Sequence, residues 1–170
     1  MRISGLGGQG VVLAGQILGR AAVYDGKNVV QTQSYGAEAR GSAARSEVII
    51  SDEKIGFPIV RKCDILVAMN QEAIDRCSED VKENGVLIVD STHVKKIPET
   101  KAKIFKISAT EHAEKTFGDR IYANMIMLGV LTKATNIVSD KAMKKAIQDA
   151  VAKNVANINK EAYNKGKESI

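Results

Sequence analysis

The sequence predicts a single α/β domain, with a mixed, mostly parallel sheet flanked by helices and a helical C-terminal end. Three observations carry that reading. A short apolar strand at the N-terminus runs through the stretch GLGGQG (residues 5–10) into a helical pattern. Two continuously hydrophobic runs, CDILVAM (residues 63–69) and VLIVD (residues 86–90), have the composition of strands buried on both faces. Residues 139–164 place apolar side chains every three or four positions, the period of an amphipathic helix. At 170 residues, 44% hydrophobic and 26% charged, the chain is long enough to bury one core and too apolar to stay disordered.

Each element follows in order. Residues 1–4 (MRIS) form a short buried strand. Gly5, Gly7 and Gly10 then let the chain turn into a helix over residues 11–24, with Val12, Ile17, Leu18 and Ala22 as a loose apolar face. Gly26 is its stop signal. Residues 28–32 (NVVQT) read as a second strand, and residues 33–42 as a polar, glycine-bearing loop. Residues 45–51 (RSEVIIS) make a third strand; the dozen or so residues between it and the second are too few for a crossover helix, so the pair is antiparallel. Residues 52–58 make a turn with room for an edge segment. After the strand at 63–69, Asn70 caps a helix reaching about residue 82, and Gly85 opens the strand at 86–90. Residues 103–108 are the last strand. Ser108 or Thr110 caps a short helix through Lys115, and a more apolar helix occupies residues 120–134. The final helix, residues 139–164, lines up Met143, Ile147, Val151, Val155, Ile158 and Ala162 opposite its lysines. No repeat or linker interrupts the chain, so residues 1–170 form one domain with an α/β core over 1–135.

Charge and cysteine usage exclude several functions. Of the net charge of +5, residues 131–170 contribute +4, from eight Lys against four acids. Tyr163 is the lone aromatic among them, so they read as a solvated helix face rather than a nucleic-acid surface. Cys63 and Cys77 stand fourteen residues apart without a CxxC, and His93 and His112 do not complete a metal-ligand set. A disulfide is not expected in a cytosolic chain. The longest uncharged hydrophobic run, residues 121–132, is too short to span a bilayer, and no signal peptide opens the sequence. The expectation is a soluble, cytoplasmic protein that binds neither membrane nor nucleic acid.

Gly5-x-Gly7-x-x-Gly10, after a strand and opening a helix, fits the dinucleotide fingerprint of a Rossmann-like sheet. The chemistry would be phosphate held by free N–H groups and the dipole of a helix N-terminus. The second half of the fingerprint is missing, because the second strand ends VVQT without an acid for the ribose hydroxyls, and the next acid is Glu38. No Lys-Ser or Lys-Thr follows Gly10, which excludes a P-loop. A free-standing nucleotide-dependent oxidoreductase is therefore an alternative only, as is a structural assembly subunit in which the glycines serve packing. In residues 34–42, Arg40 suits a phosphate or carboxylate, and an Arg40–Glu38 pair fastening the loop fits equally well. Asp90, Ser91, Thr92 and His93 are neighbours on one strand end, whereas a working triad needs groups converging from separate elements.

Taken together these blocks resemble the gamma subunit of the 2-oxoacid:ferredoxin oxidoreductases. GLGGQGVVLAG (residues 5–15) resembles that family's opening, QTQSYGAEARGS (31–42) with RSEVIIS (45–51) its second block, CDILVAMNQE (63–72) its third, and NMIMLG (124–129) a later helix. The likeness covers most of residues 1–135 in order, and TQSYGAEARG is most similar to the 2-oxoglutarate branch, with pyruvate, branched-chain and indolepyruvate enzymes carrying variants. It implies one subunit of a cytoplasmic hetero-oligomer of anaerobic metabolism that oxidatively decarboxylates a 2-oxoacid to its acyl-coenzyme A and reduces ferredoxin. It further implies that thiamine diphosphate, magnesium and iron–sulfur clusters sit on catalytic and iron–sulfur partner subunits. This chain, which holds no cofactor by itself and is not catalytic alone, then helps form the coenzyme A side of the site. Carried over by position, the coenzyme contacts are Gly7, Gly8, Gln9, Gly10, Tyr35, Glu38 and Arg40. The Lys-rich final helix is the least family-like part and receives no function.

Overall fold

The computed structural model describes residues 1–36 and 42–170. Strand β1 (Arg2–Leu6) leads into helix α1 (Val11–Tyr24), strands β2 (Asn28–Tyr35) and β3 (Ala43–Ser51), then strand β4 (Cys63–Ala68), helix α2 (Gln71–Cys77) and strand β5 (Val81–Asp90). Strand β6 (Lys103–Ile107) is followed by helices α3 (Ala109–Phe117), α4 (Ala123–Thr135), α5 (Asp140–Ala150) and α6 (Ala156–Glu168). The six strands lie in the order β2-β3-β1-β4-β5-β6. Pairings β1–β4, β4–β5 and β5–β6 are parallel, whereas β3 is antiparallel to both β1 and β2. Five strands therefore point to one edge of the sheet and β3 alone runs the other way, which is the mixed, mostly parallel sheet the sequence predicts.

Two cores flank this sheet. Ala14, Ile17 and Leu18 of α1, with Met125, Ile126 and Leu128 of α4, cover Ile3, Val67 and Ile88 on one face. On the other, Ala73, Ile74 and Cys77 of α2 meet Leu66, Leu87 and Val89. α1 and α2 thus leave adjacent strands β1 and β4 toward opposite faces, and a crevice opens between those strand ends, where α/β sheets bind their ligands.

Local chemistry explains most boundaries. α1 closes in a Schellman turn: Gly26 at φ 77° donates to Val23 O, and Lys27 N–H donates to Ala22 O at 3.0 Å. The Asn70 Oδ1 accepts from Ala73 N–H at 2.9 Å and caps α2, as expected, but the helix stops at Cys77 rather than near 82. β5 then begins at Val81, five residues before the hydrophobic run that announced it, with a register shift against β4 between Cys63 and Ile65. β2 continues to Tyr35, through residues expected in a loop, because Gln33, Ser34 and Tyr35 pair with Ser46, Arg45 and Ala44. Residues 52–58 form no edge strand. The apolar helix expected from residue 120 starts with a 3-10 turn, Arg120–Tyr122, before α4.

The largest departure is the final helix. Residues 139–164 do not form one helix: α5 stops at Ala150, Val151 and Ala152 are extended, and a 3-10 turn at Lys153–Val155 leads into α6. The two pieces face different partners. α5 packs on α1, and Ser139 at its start holds the Asp25 carboxylate through its N–H and hydroxyl, both at 2.6 Å. α6 packs on α4 so closely that a Cβ on Gly129 would sit 2.1 Å from the Tyr163 carbonyl oxygen, and one on Gly166 2.0 Å from that of Ile126. One straight rod cannot satisfy both contacts, so the apolar stripe read from the sequence is cut at Val151.

Among the described residues, no helix is long and apolar enough to cross a membrane.

Candidate functional site

The edge to which β1, β2, β4, β5 and β6 point gathers the glycine loop, the hairpin between β2 and β3, and the turns after β4 and β5. The glycine loop owes its path to Gly8 at φ 96° and Gly10 at φ 70°, a region that L side chains rarely adopt. Gly7 N–H donates to Ser42 O at 2.8 Å, which ties the loop to the hairpin. Gly10 caps α1 without any side-chain hydrogen bond, and no acid stands in the helix's first turn. The N-terminal N–H groups of a 14-residue helix thus meet the crevice without a carboxylate to satisfy them.

Of the residues the sequence nominates, Gly7, Gly8 and Gln9 line one cleft of this crevice together, whereas Gly10 lines a neighbouring cleft of about 430 Å³ with Leu13 and Tyr122. Gly8 has open space around it, with nothing within 4 Å of the position a Cβ would take. Gln9 is held from both ends of its amide: Oε1 accepts from Leu6 N–H at 2.7 Å, and Nε2 donates to Met69 O at 3.2 Å. That side chain stitches the turn after β1 to the end of β4. Tyr35 ends β2, is 60% exposed, and lies two strands out from Gly5 through Ala44. Glu38 and Arg40 lie outside the described residues.

A cleft of about 550 Å³ opens between the glycine loop and the turns after β4 and β5, lined by Gly7, Gly8, Asn70, His93, Thr110 and Arg120 among others. His93 and Arg120 are exposed, so a guanidinium and an imidazole border the glycine loop that leads into the uncapped helix. Arg120 is a site residue that sequence reasoning missed. Its signal was a cation ahead of α4, where the helix dipole favours an acid.

Asp90 belongs to the frame, not to a triad. Fully buried, it accepts from Thr92 N–H at 3.0 Å, from Thr110 N–H at 3.1 Å and from the Thr110 hydroxyl at 2.5 Å, capping α3 from the end of β5. Ser91 meets Ser108 at 3.1 Å. Cys63 and Cys77 are buried and free, and burial pushes the Cys63 thiol up, away from the thiolate a nucleophile needs. Asn124 Nδ2 reaches the Gly10 carbonyl at 3.3 Å, fixing the start of α4 against the start of α1.

Comparison with known proteins gives consistent results. The family model described as pyruvate ferredoxin/flavodoxin oxidoreductase matches residues 1–169. A 2-oxoglutarate synthase subunit KorC from Methanocaldococcus jannaschii is 53% identical over 99% of this chain and 91% of its own. Among solved structures, a keto/oxoacid ferredoxin oxidoreductase gamma subunit from Geobacter sulfurreducens superposes with a TM-score of 0.88 at 44% identity, covering 99% of this chain and 95% of that one. The 2-oxoglutarate:ferredoxin oxidoreductase of Magnetococcus marinus, solved with 2-oxoglutarate, coenzyme A and succinyl-CoA bound, also gives 0.88, at 26% identity, over 99% of this chain and 30% of that chain.

Proposed function

Since this chain belongs to the pyruvate ferredoxin/flavodoxin oxidoreductase family, we propose that it serves in the cytoplasm as the gamma subunit of a 2-oxoglutarate:ferredoxin oxidoreductase and supplies part of the coenzyme A side of its site. The full-length likeness to 2-oxoglutarate synthase subunits supports the substrate. The coenzyme role rests on one observation, the glycine loop that leads into the uncapped α1 and lines, through Gly7, Gly8 and Gln9, a cleft bordered by Arg120 and His93. Those groups suit the phosphates of coenzyme A. The helix N–H groups donate to phosphate oxygens, the guanidinium adds charge-assisted hydrogen bonds, and Gly8 lets the ligand approach the backbone. Coenzyme A supplies the thiol that accepts the acyl group, while this chain binds and orients. Thiamine diphosphate, magnesium and the iron–sulfur clusters belong to the partner subunits, and ferredoxin takes the electrons from the complex.

The test is steady-state kinetics on the assembled enzyme carrying Arg120→Ala. A hydrogen bond to a charged group contributes about 1.5–3 kcal/mol, so KM for coenzyme A should rise by about 10- to 150-fold, with kcat and KM for 2-oxoglutarate within about twofold of wild type. An unchanged KM for coenzyme A in Arg120→Ala and in Gly8→Val would leave the chain as a scaffold. Faster turnover of pyruvate than of 2-oxoglutarate would overturn the substrate.

A further inference from the structure

Asn70 uses one end of its amide to cap α2 and leaves the other end unspent. Its Oδ1 accepts from Ala73 N–H at 2.9 Å, which settles which end of the side chain is the oxygen and leaves Nδ2 as a two-proton donor. Nδ2 has no hydrogen-bond partner among the described residues, although Asn70 is only 8% exposed. A polar group buried to that degree normally has one. Capping does not account for the amide, since Asp or Ser caps a helix about as well.

The residue lines the cleft of about 550 Å³ together with Gly7, Gly8 and Arg120, and its Nδ2, unlike the sealed Asn124 Oδ1, keeps accessible surface. Its place is fixed from the backbone side as well. Met69 N–H donates to Ser4 O at 2.9 Å and Met69 O accepts from Gln9 Nε2 at 3.2 Å, so the peptide that carries Asn70 is tied to β1 and to the glycine loop at once. Glu72, the acid in the first turn of α2, is paired with Arg76 at 2.6 Å.

We infer that Asn70 is a further binding residue of this cleft, its Nδ2 donating to a phosphate oxygen of coenzyme A. The donor is the side-chain amide itself, not the end of the short helix that it caps. Because the cap already holds the side chain, the donor is preorganised and loses little rotamer freedom when a ligand arrives. A neutral N–H beside a guanidinium and free of any carboxylate suits an anionic oxygen. The inference rests on the coenzyme role proposed for the cleft.

The test uses the assembled enzyme carrying Asn70→Ser or Asn70→Asp, both of which keep an oxygen to cap α2 and lose the amide donor. Both complexes should keep the wild-type melting temperature. Asn70→Ser should raise KM for coenzyme A about tenfold, and Asn70→Asp at least about tenfold further, because its carboxylate is set against the phosphates. KM for 2-oxoglutarate should stay within about twofold of wild type in each, since the cleft is assigned to the coenzyme. A wild-type KM for coenzyme A in Asn70→Ser, with or without a change in melting temperature, makes the residue a cap only and overturns the inference. Equal rises in the two variants mean that the amide does not meet a phosphate, and overturn it as well. Arg120→Ala, assayed in parallel, tells two failures apart. A raised KM there with a wild-type KM in Asn70→Ser overturns this inference and leaves the coenzyme role standing, whereas a wild-type KM in Arg120→Ala, Gly8→Val and Asn70→Ser alike overturns both.

Discussion

Gly129 and Gly166 lie where α4 and α6 touch backbone to backbone, and there the usual ranking of helix formers reverses. Ala in place of Gly in a helix interior ordinarily gains about 1 kcal/mol. Here the added methyl would sit 2.1 Å or less from a main-chain carbonyl oxygen, which no side-chain rotation relieves. Gly129→Ala should therefore cost about 3 kcal/mol, or roughly 10 °C in Tm, as read by thermal unfolding. Gly8→Ala meets no atom and bears only the strain of φ 96°, so it should cost about 1–2 kcal/mol and leave the fold intact. A second prediction concerns Asp140. Burial alone would raise its carboxyl, but the ammoniums of Lys144 and Lys167 and the Tyr163 hydroxyl outweigh burial and hold it at about 2. A depressed folded-state value means the stabilisation is complete above the ordinary 3.8 and is lost as pH falls from there toward 2. Because the carboxylate is 41% exposed, screening limits the pair to about 1 kcal/mol or less. Asp140→Asn should lower Tm by about 2–4 °C at pH 7, with the gap to wild type narrowing below pH 4 in a pH series of melts. At this scale the sequence was readable wherever a residue obeys a local rule, as Gly26 and Asn70 do. Arg120 and Asn124 carry no local signal of comparable strength, since their importance comes from facing a loop more than a hundred positions earlier.

Helices and strands followed their hydrophobic periods where one partner sets the burial. α1 ended where its glycine said it would, and β4 was buried along Ile65–Ala68 as its unbroken apolar run implied. The readings slipped where two partners compete. β2 gained three polar residues because pairing with β3 satisfies their backbone groups whatever their side chains are. The last helix broke because α1 and α4 pull its halves in different directions, and Val and Asn at the break hold a helix poorly. The break leaves a mark that hydrogen exchange can read. Amides of α4 and α6, locked by the Gly129–Gly166 contact, should exchange near the global unfolding limit, whereas those of residues 151–155 should exchange at least tenfold faster. Equal protection across 140–168 would mean that α5 and α6 behave as one rod in solution.

As a whole the molecule is lopsided: α1 and α4 cover one face of the sheet, with α5 and α6 packed outside them, whereas the other has the seven-residue α2 and irregular chain. The overall α/β architecture and the oxidoreductase family were legible because glycine loop, hairpin block and buried strands recur in a fixed order. The two clefts were not, since each is walled by segments that meet only after folding. The position of β1 has a consequence for the way the chain is made. It lies between β3 and β4, so on the ribosome it has no strand to pair with until about forty residues have followed it, and its second neighbour comes about twenty later. The apolar side of Ile3, Val67 and Ile88 then waits for α4, beginning at Ala123. Synthesis thus holds an unfinished, sticky sheet for much of its course, and a nascent chain stalled before α4 presents to chaperones and proteases the surface that the finished subunit hides.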